Sequence, residues 1–223
     1  MTALLERQLL KRDLLGSVSR LHDPASPGRA PSVERDTSSA AWWLRWLARR
    51  LAAREALALE VLQRIPGVPR VEAWDGRRLR RTWLAGAPMH RCPPGSQAYF
   101  RDALRLLRRL HAAGVLHNDL AKEPNWLVTP EGSAALVDFQ LAMRPRRRGR
   151  LFRALAYDDL RHLLKHKRTY SPERLTARQL AILRRRSAIS ALWARTGKPA
   201  YRFVTRRVLG WSDREGAGDR YPA

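Results

Sequence analysis

The stretch VLHNDLAKEPNWLV, residues 115–128, gathers His117, Asn118, Asp119, Lys122 and Asn125 within nine positions and flanks them with apolar residues. A further carboxylate, Asp138, follows in ALVDFQLA, residues 135–142, between Val137 and Phe139. Two carboxylates and an amide supply hard oxygen donors, the type Mg²⁺ takes while keeping its other positions for water and phosphate. A carboxylate inside an apolar run is costly to bury without a cation nearby. Each of the three is also a residue type common at turns and strand ends, and a lone His117 more often props a structure than catalyses. What gives the set weight is its order and spacing.

Those residues need elements to hold them. Residues 96–113 read as a helix with Tyr99, Phe100, Ala103, Leu104, Leu107 and Leu110 on one stripe, stopped by Gly114. A strand at 126–128, a turn at Pro130-Glu131-Gly132 and a strand at 134–138 form a tight hairpin that brings Asn125 and Asp138 to one point. Upstream, LLGSVSRLHD reads as two strands about a Gly-Ser turn, residues 24–32 as a loop, and SVERDT as a short strand. A long helix is expected over about 39–64, with Trp43, Leu47, Leu51, Leu59 and Leu62 recurring at three- and four-residue steps. Trp42, Trp43 and Trp46 are expected to pack. Two strands follow about Asp75-Gly76, and a loop at PMHRCPPGS. Beyond 150 the pattern predicts helices at 151–166, 175–195 and 199–208. The expectation is an α+β chain, β-rich first and helical after.

Composition narrows the class. The 223 residues carry a net charge of +24, with only five lysines among 44 basic residues. Such a balance favours phosphate-rich partners, whether nucleic acid, nucleotide or an anionic membrane face; an arginine-biased proteome gives the same balance. No nucleic-acid motif accompanies the charge, which argues against nucleic acid. No window offers eighteen uncharged apolar residues, and the N-terminal apolar stretch contains Glu6 and Asp13, a poor signal peptide. Cys92 is the only cysteine, so an internal disulfide and a cysteine-cluster metal site are excluded. A cytoplasmic location is expected; contact of the tryptophan-arginine helix with the anionic inner membrane face is the alternative to its packing.

The order helix, HNDLAKEPNWLV, strand, turn, strand, VDFQ resembles the catalytic core of protein-kinase-like phosphotransferases, above all their compact bacterial branch of lipopolysaccharide kinases and RIO-like serine/threonine kinases. The likeness spans roughly residues 12–170. It implies a two-lobed fold: a small β-rich lobe with one long helix over 1–88, and a mostly helical lobe over 89–223. It implies ATP as co-substrate and Mg²⁺ (or Mn²⁺) as cofactor. The acceptor is a hydroxyl, on protein Ser/Thr or on an envelope glycolipid sugar. Asp119 becomes the catalytic base, with Asn125 beside it, and Asn125 and Asp138 the metal ligands. Gly16, Arg35, Glu55 and Lys122 serve the nucleotide, and residues 82–88 form the hinge. His117 and Asp159, with Asp158 next to it, support the loop.

Four features depart from the family pattern. Asp119 and Asn125 are six residues apart instead of five. The glycine-rich loop is reduced to Gly16. Arg35 stands where the family has lysine, and Gln140 where it has the glycine of D-F-G. A nucleotide-binding pseudokinase without turnover is the alternative that these departures leave open.

Overall fold

The computed structural model describes residues 6–185 apart from 26, 27 and 29. Within them the chain is α+β, with a sheet-rich N-terminal region and helices after it. Five antiparallel strands form the first sheet in the order β1-β2-β3-β5-β4: β1 Glu6–Asp13, β2 Gly16–His22, β3 Ser32–Asp36, β4 Val71–Trp74 and β5 Arg78–Thr82. The edge strand β1 is exposed along most of its length, and Arg7, Lys11 and Arg12 there discourage pairing with another chain's edge. The first hairpin turns at Leu14-Leu15, two residues before the expected Gly-Ser turn, because Gly16 already pairs with Asp13 at the start of β2.

Strand β3 is buried at all five positions although three are charged. Burying charge is tolerated only with partners, and each has them. Glu34 meets Arg7 and Arg80 on one face. On the other, Arg35 meets Glu55. Asp36 accepts from the backbone and hydroxyl of Ser38 and lies 3.5 Å from Arg78.

Helix α1, Arg45–Leu62, is preceded by a 3-10 turn at Trp42–Leu44 and packs on β4, β5 and the segment Phe139–Leu141. Of the expected tryptophan-leucine stripe only Leu59 and Leu62 are buried, while Leu47 and Leu51 are half-buried and Trp43 is exposed. Ala48, Ala52 and Ala56, one turn apart, bring the helix close to its neighbours, and Glu55, Leu59 and Leu62 complete the face. Trp42, Trp43 and Trp46, expected to pack, are exposed by 80%, 42% and 62%.

A second, three-stranded sheet joins β6 Ala87–Pro88, β7 Trp126–Val128 and β8 Ala134–Leu136 in that order. Helix α2, Gln97–Ala112, is capped by Ser96, whose hydroxyl accepts from the Tyr99 amide. Gly114 ends it at φ 79°, and the Val115 amide closes the last turn on the Leu110 carbonyl. Leu106 is buried on its stripe, and Leu104 only partly. Helix α3 runs Arg150–Tyr170 and α4 Ala177–Arg184; the expected helix at 199–208, and the part of 175–195 beyond 185, lie outside the described residues. One buried cluster unites Leu59 and Leu62 of α1 with Tyr99 and Leu107 of α2, Trp126 and Leu136 of the second sheet, and Phe139. Among the described residues, no helix is long and apolar enough to cross a membrane.

Candidate functional site

The segment from His117 to Asn125 crosses from α2 to β7 with little regular structure, so side chains and α3 hold it. Asp159 on α3, buried, accepts the backbone N–H groups of His117 and Asn118 at 3.0 Å each, and His111 approaches the same carboxylate at 3.2 Å. Asn118 takes φ 62°, a left-handed conformation that Asn tolerates better than most residues, and its amide donates to the Leu141 carbonyl. His117 is fully buried, stacks at a tilt on Phe139 with centroids 4.6 Å apart, and lies 3.1 Å from the Val137 carbonyl. His117 and Asp159 are thus joined to the backbone on both sides of the site. Asp158 instead lies 3.9 Å from Arg161 and from His162.

The extra residue between Asp119 and Asn125 is absorbed by a 3-10 turn at Glu123–Asn125 with Pro124 in its first turn. Glu123 points inward, where the Tyr170 hydroxyl donates to it at 2.8 Å. His166 reaches the Leu120 carbonyl at 2.8 Å, and the Trp126 indole donates to the same oxygen. Asn125, nearly fully buried, donates through Nδ2 to the backbone carbonyl of Asp119 at 2.8 Å and to its carboxylate at 3.0 Å. Its amide oxygen is left over from these bonds. Lys122 places Nζ 2.9 Å from Asp119 Oδ2.

Asp138 follows β8 after Val137. The Val137 amide bonds the Asn125 carbonyl at 3.1 Å, which ties the two ends of the hairpin together. Asp138 itself sits at φ 64°, ψ 68°. It and Asn118 are the non-glycine residues with positive φ among those described, and both belong to this site. Backbone strain of this kind persists where surrounding structure imposes it, and it concentrates at functional sites. Burial pushes the Asp138 carboxyl up, but the positive charges of Arg35, Arg81 and Lys122 outweigh it and hold the group below the usual carboxylate value.

From the first sheet, Arg35 spans the gap. Its Nε lies 3.3 Å from Glu55 Oε2, and its guanidinium 3.6 Å from Asp138 Oδ1. These are ion pairs without hydrogen bonds: Arg35 Nε, Glu55 Oε2 and Asp138 Oδ1 are all shut off from solvent and lack a hydrogen-bond partner. Arg81 on β5, which the sequence reading passed over, binds the other oxygen of Glu55. A signal existed for it: β5 alternates, and Arg81 shares the inward face with Leu79, so a buried acid had to meet it.

Gly16 has a backbone reason to be glycine. Its φ is 122°, and a Cβ there would stand 2.2 Å from the Asp36 carbonyl. The expected hinge divides: Ala87 and Pro88 pair with Val128 and Leu127, while residues 83–86 link the sheets. Three surface grooves, lined around Arg54 and Leu57, Arg7 and Arg20, and Arg146 and Arg148, lie apart from Asp119, Asn125 and Asp138.

Among the described residues, no three His, Cys, Asp or Glu side chains form a metal-binding group. Asp138, whose Oδ1 is ion-paired with Arg35 but accepts no hydrogen bond, and Asn125 with its remaining amide oxygen fit a Mg²⁺ ion that completes its shell with phosphate and water. No protein-family model matches this chain, and no curated protein does so significantly.

Proposed function

We propose that this chain is a two-lobed, protein-kinase-like phosphotransferase that moves the γ-phosphoryl group of ATP to a hydroxyl acceptor. Residues 1–88 form the smaller lobe and 89–223 the larger, with the nucleotide between them and residues 82–88 as the hinge. The observation that carries this reading is the bridge from Glu55 through Arg35 to Asp138, beside the Asp119–Asn125 pair. Glu55, Arg35 and Asp138, distant in sequence, meet with complementary charge, and each has a buried polar atom that lacks a hydrogen bond. Phosphate oxygens and a hydrated cation are partners of the right chemistry for such atoms.

In this reading Arg35 leaves Asp138 to grip nucleotide phosphates while keeping Glu55 behind it. Arginine's planar fork suits phosphate as well as carboxylate. Asn125 and Asp138 would hold Mg²⁺, which would supply charge neutralisation for the transferring group. Asp119 orients the acceptor hydroxyl and takes its proton as the new O–P bond forms and the bond to the β-phosphate oxygen of ATP breaks, releasing ADP. Lys122, against Asp119, meets the phosphate charge from the other side. The acceptor is a protein serine or threonine, or the sugar of an envelope glycolipid.

One observation favours a second reading, a nucleotide-binding scaffold without turnover. Gly16 is needed for its close backbone approach to Asp36, and the Asp13–Gly16 turn has no other glycine to cradle phosphate. Mg²⁺-dependent ATP turnover by the purified chain, with protein and glycolipid acceptors, decides between them. Turnover that Asp138→Ala abolishes supports the enzyme; MgATP binding without turnover supports the scaffold.

A further inference from the structure

Helix α1 departs from the usual division of an amphipathic helix. Four alanines stand beside Leu59 and Leu62 on its buried side, while Trp46 and Leu57 stand in solvent. Trp46, Arg50, Ala53 and Leu57, spaced by four, three and four residues, make one stripe opposite the face of Ala52, Glu55 and Leu59. Leu57 is 62% exposed, and Trp42, just before the helix, is exposed by 80%. At its far end the stripe borders Ala142 and Arg144.

Over residues 42–54 the charge around this face has one sign, and the exposed Glu60 follows only past Leu57. Residues 37–54 contain four arginines and no acid. The next carboxylate, Glu55, is fully buried on the opposite side and held by Arg35 and Arg81. A second copy of this face would bring like charge to like. The chain's own residues 186–223 carry eight lysines and arginines against three acids, so they too are of the wrong sign. The occupant must be anionic and must also receive indole rings that project from the surface. Base-stacking platforms hold aromatics along a charged groove, whereas Trp42 stands proud. Indoles with arginines beside them suit the boundary between acyl chains and charged headgroups.

We infer that the exposed face of α1, led by Trp42, Trp43 and Trp46 and flanked by Arg45, Arg49 and Arg50, seats the protein on an anionic lipid bilayer. The tryptophans enter the headgroup–acyl boundary, and the arginines keep their charge among lipid phosphates while their stems lie along the apolar surface. The attachment is peripheral and salt-sensitive. It does not depend on the chain being an enzyme.

The test is flotation of the full chain with phosphatidylcholine vesicles, with and without phosphatidylglycerol, alongside tryptophan emission. Wild type binds only the anionic vesicles, and its emission shifts to the blue. Trp42→Ser/Trp46→Ser weakens binding by at least about tenfold, with thermal unfolding unchanged because both positions are exposed. Arg146→Gln/Arg147→Gln removes two equally exposed charges elsewhere and leaves binding within about twofold of wild type, since each cation away from the seat adds little. Any of four results overturns the inference: no vesicle binding by wild type, equal binding by the tryptophan variant, equal loss in the arginine control, or retention on single-stranded DNA that anionic vesicles fail to displace.

Discussion

Arg35 and Arg81 meet the same buried carboxylate from neighbouring strands, yet their circumstances differ. Arg81 is hydrogen-bonded to Glu55, whereas Arg35 is only close to it and also faces Asp138. Substituting them separates stability from binding. Arg81→Ala removes the bonded partner of a fully buried carboxylate, and denaturant unfolding should show a loss of about 3 kcal/mol or more. Arg35→Ala leaves Glu55 with Arg81 but takes from Asp138 its main cation, so it should destabilise less than Arg81→Ala yet bind MgATP at least about tenfold more weakly, as loss of a charge-assisted phosphate contact implies. Arg35→Lys should recover part of that affinity. Asp138 gives a pH-dependent counterpart. Its carboxyl is held below the ordinary 3.8, chiefly against burial and by Arg35. Its stabilising contribution is therefore complete above that value and lost as pH falls through the lower value in the fold. The stability difference between wild type and Asp138→Asn, followed by urea unfolding, should be greatest near neutrality and shrink below about pH 4. The sequence disclosed the residues around Asp119 because their types are unusual and close together. Arg81 was harder to find among thirty-eight other arginines, because the alternation of β5 puts it on the inward face without saying which acid it meets.

The elements show what a segment of irregular backbone requires. The site loop is pinned from α3 at three heights: Asp159 on the His117 and Asn118 amides, His166 on the Leu120 carbonyl, and Tyr170 on Glu123. These contacts recur at about seven and four residues along one helix face, so α3 is a rail for the loop. Asp159→Ala would leave the buried His117 N–H and the half-buried Asn118 N–H without acceptors and should cost about 2 kcal/mol or more in thermal or denaturant unfolding. Gly16→Ala should destabilise the first sheet whether or not nucleotide is present, since its Cβ would collide with the Asp36 carbonyl; a variant that melts with wild type would remove the backbone explanation for that glycine. The helices α2 and α3 and the hairpin of β7 and β8 were legible from periodicity and turn residues. The orientation of α1 was not. Large apolar residues at helical spacing ordinarily mark the core face, but here close packing against β4, β5 and Phe139–Leu141 selects alanine and turns the tryptophans outward. The two-residue strand β6 was also hidden, because its pairing with β7 depends on a partner about forty residues away.

At the scale of the whole molecule, the order of elements was readable from sequence and the sharing of the core was not. The α+β succession follows from alternating strands giving way to helical stripes. Yet Leu59 and Leu62 of α1 lie in one buried cluster with α2, Trp126 and Phe139, so the sheet-rich and helical regions meet through apolar packing as well as through the Arg35–Asp138 ion pair. In the proposed mechanism that polar contact opens to admit MgATP while the shared core keeps α1 in register with Phe139, next to Asp138. The central claim is that phosphoryl transfer passes through Asp119. The most direct measurement pairs MgATP binding with phosphotransfer in Asp119→Asn, which keeps the side chain's shape and removes the base. Binding should remain near wild type while transfer falls about 10²-fold or more. Equal transfer by wild type and Asp119→Asn would contradict the account and leave the loop as part of a binding scaffold.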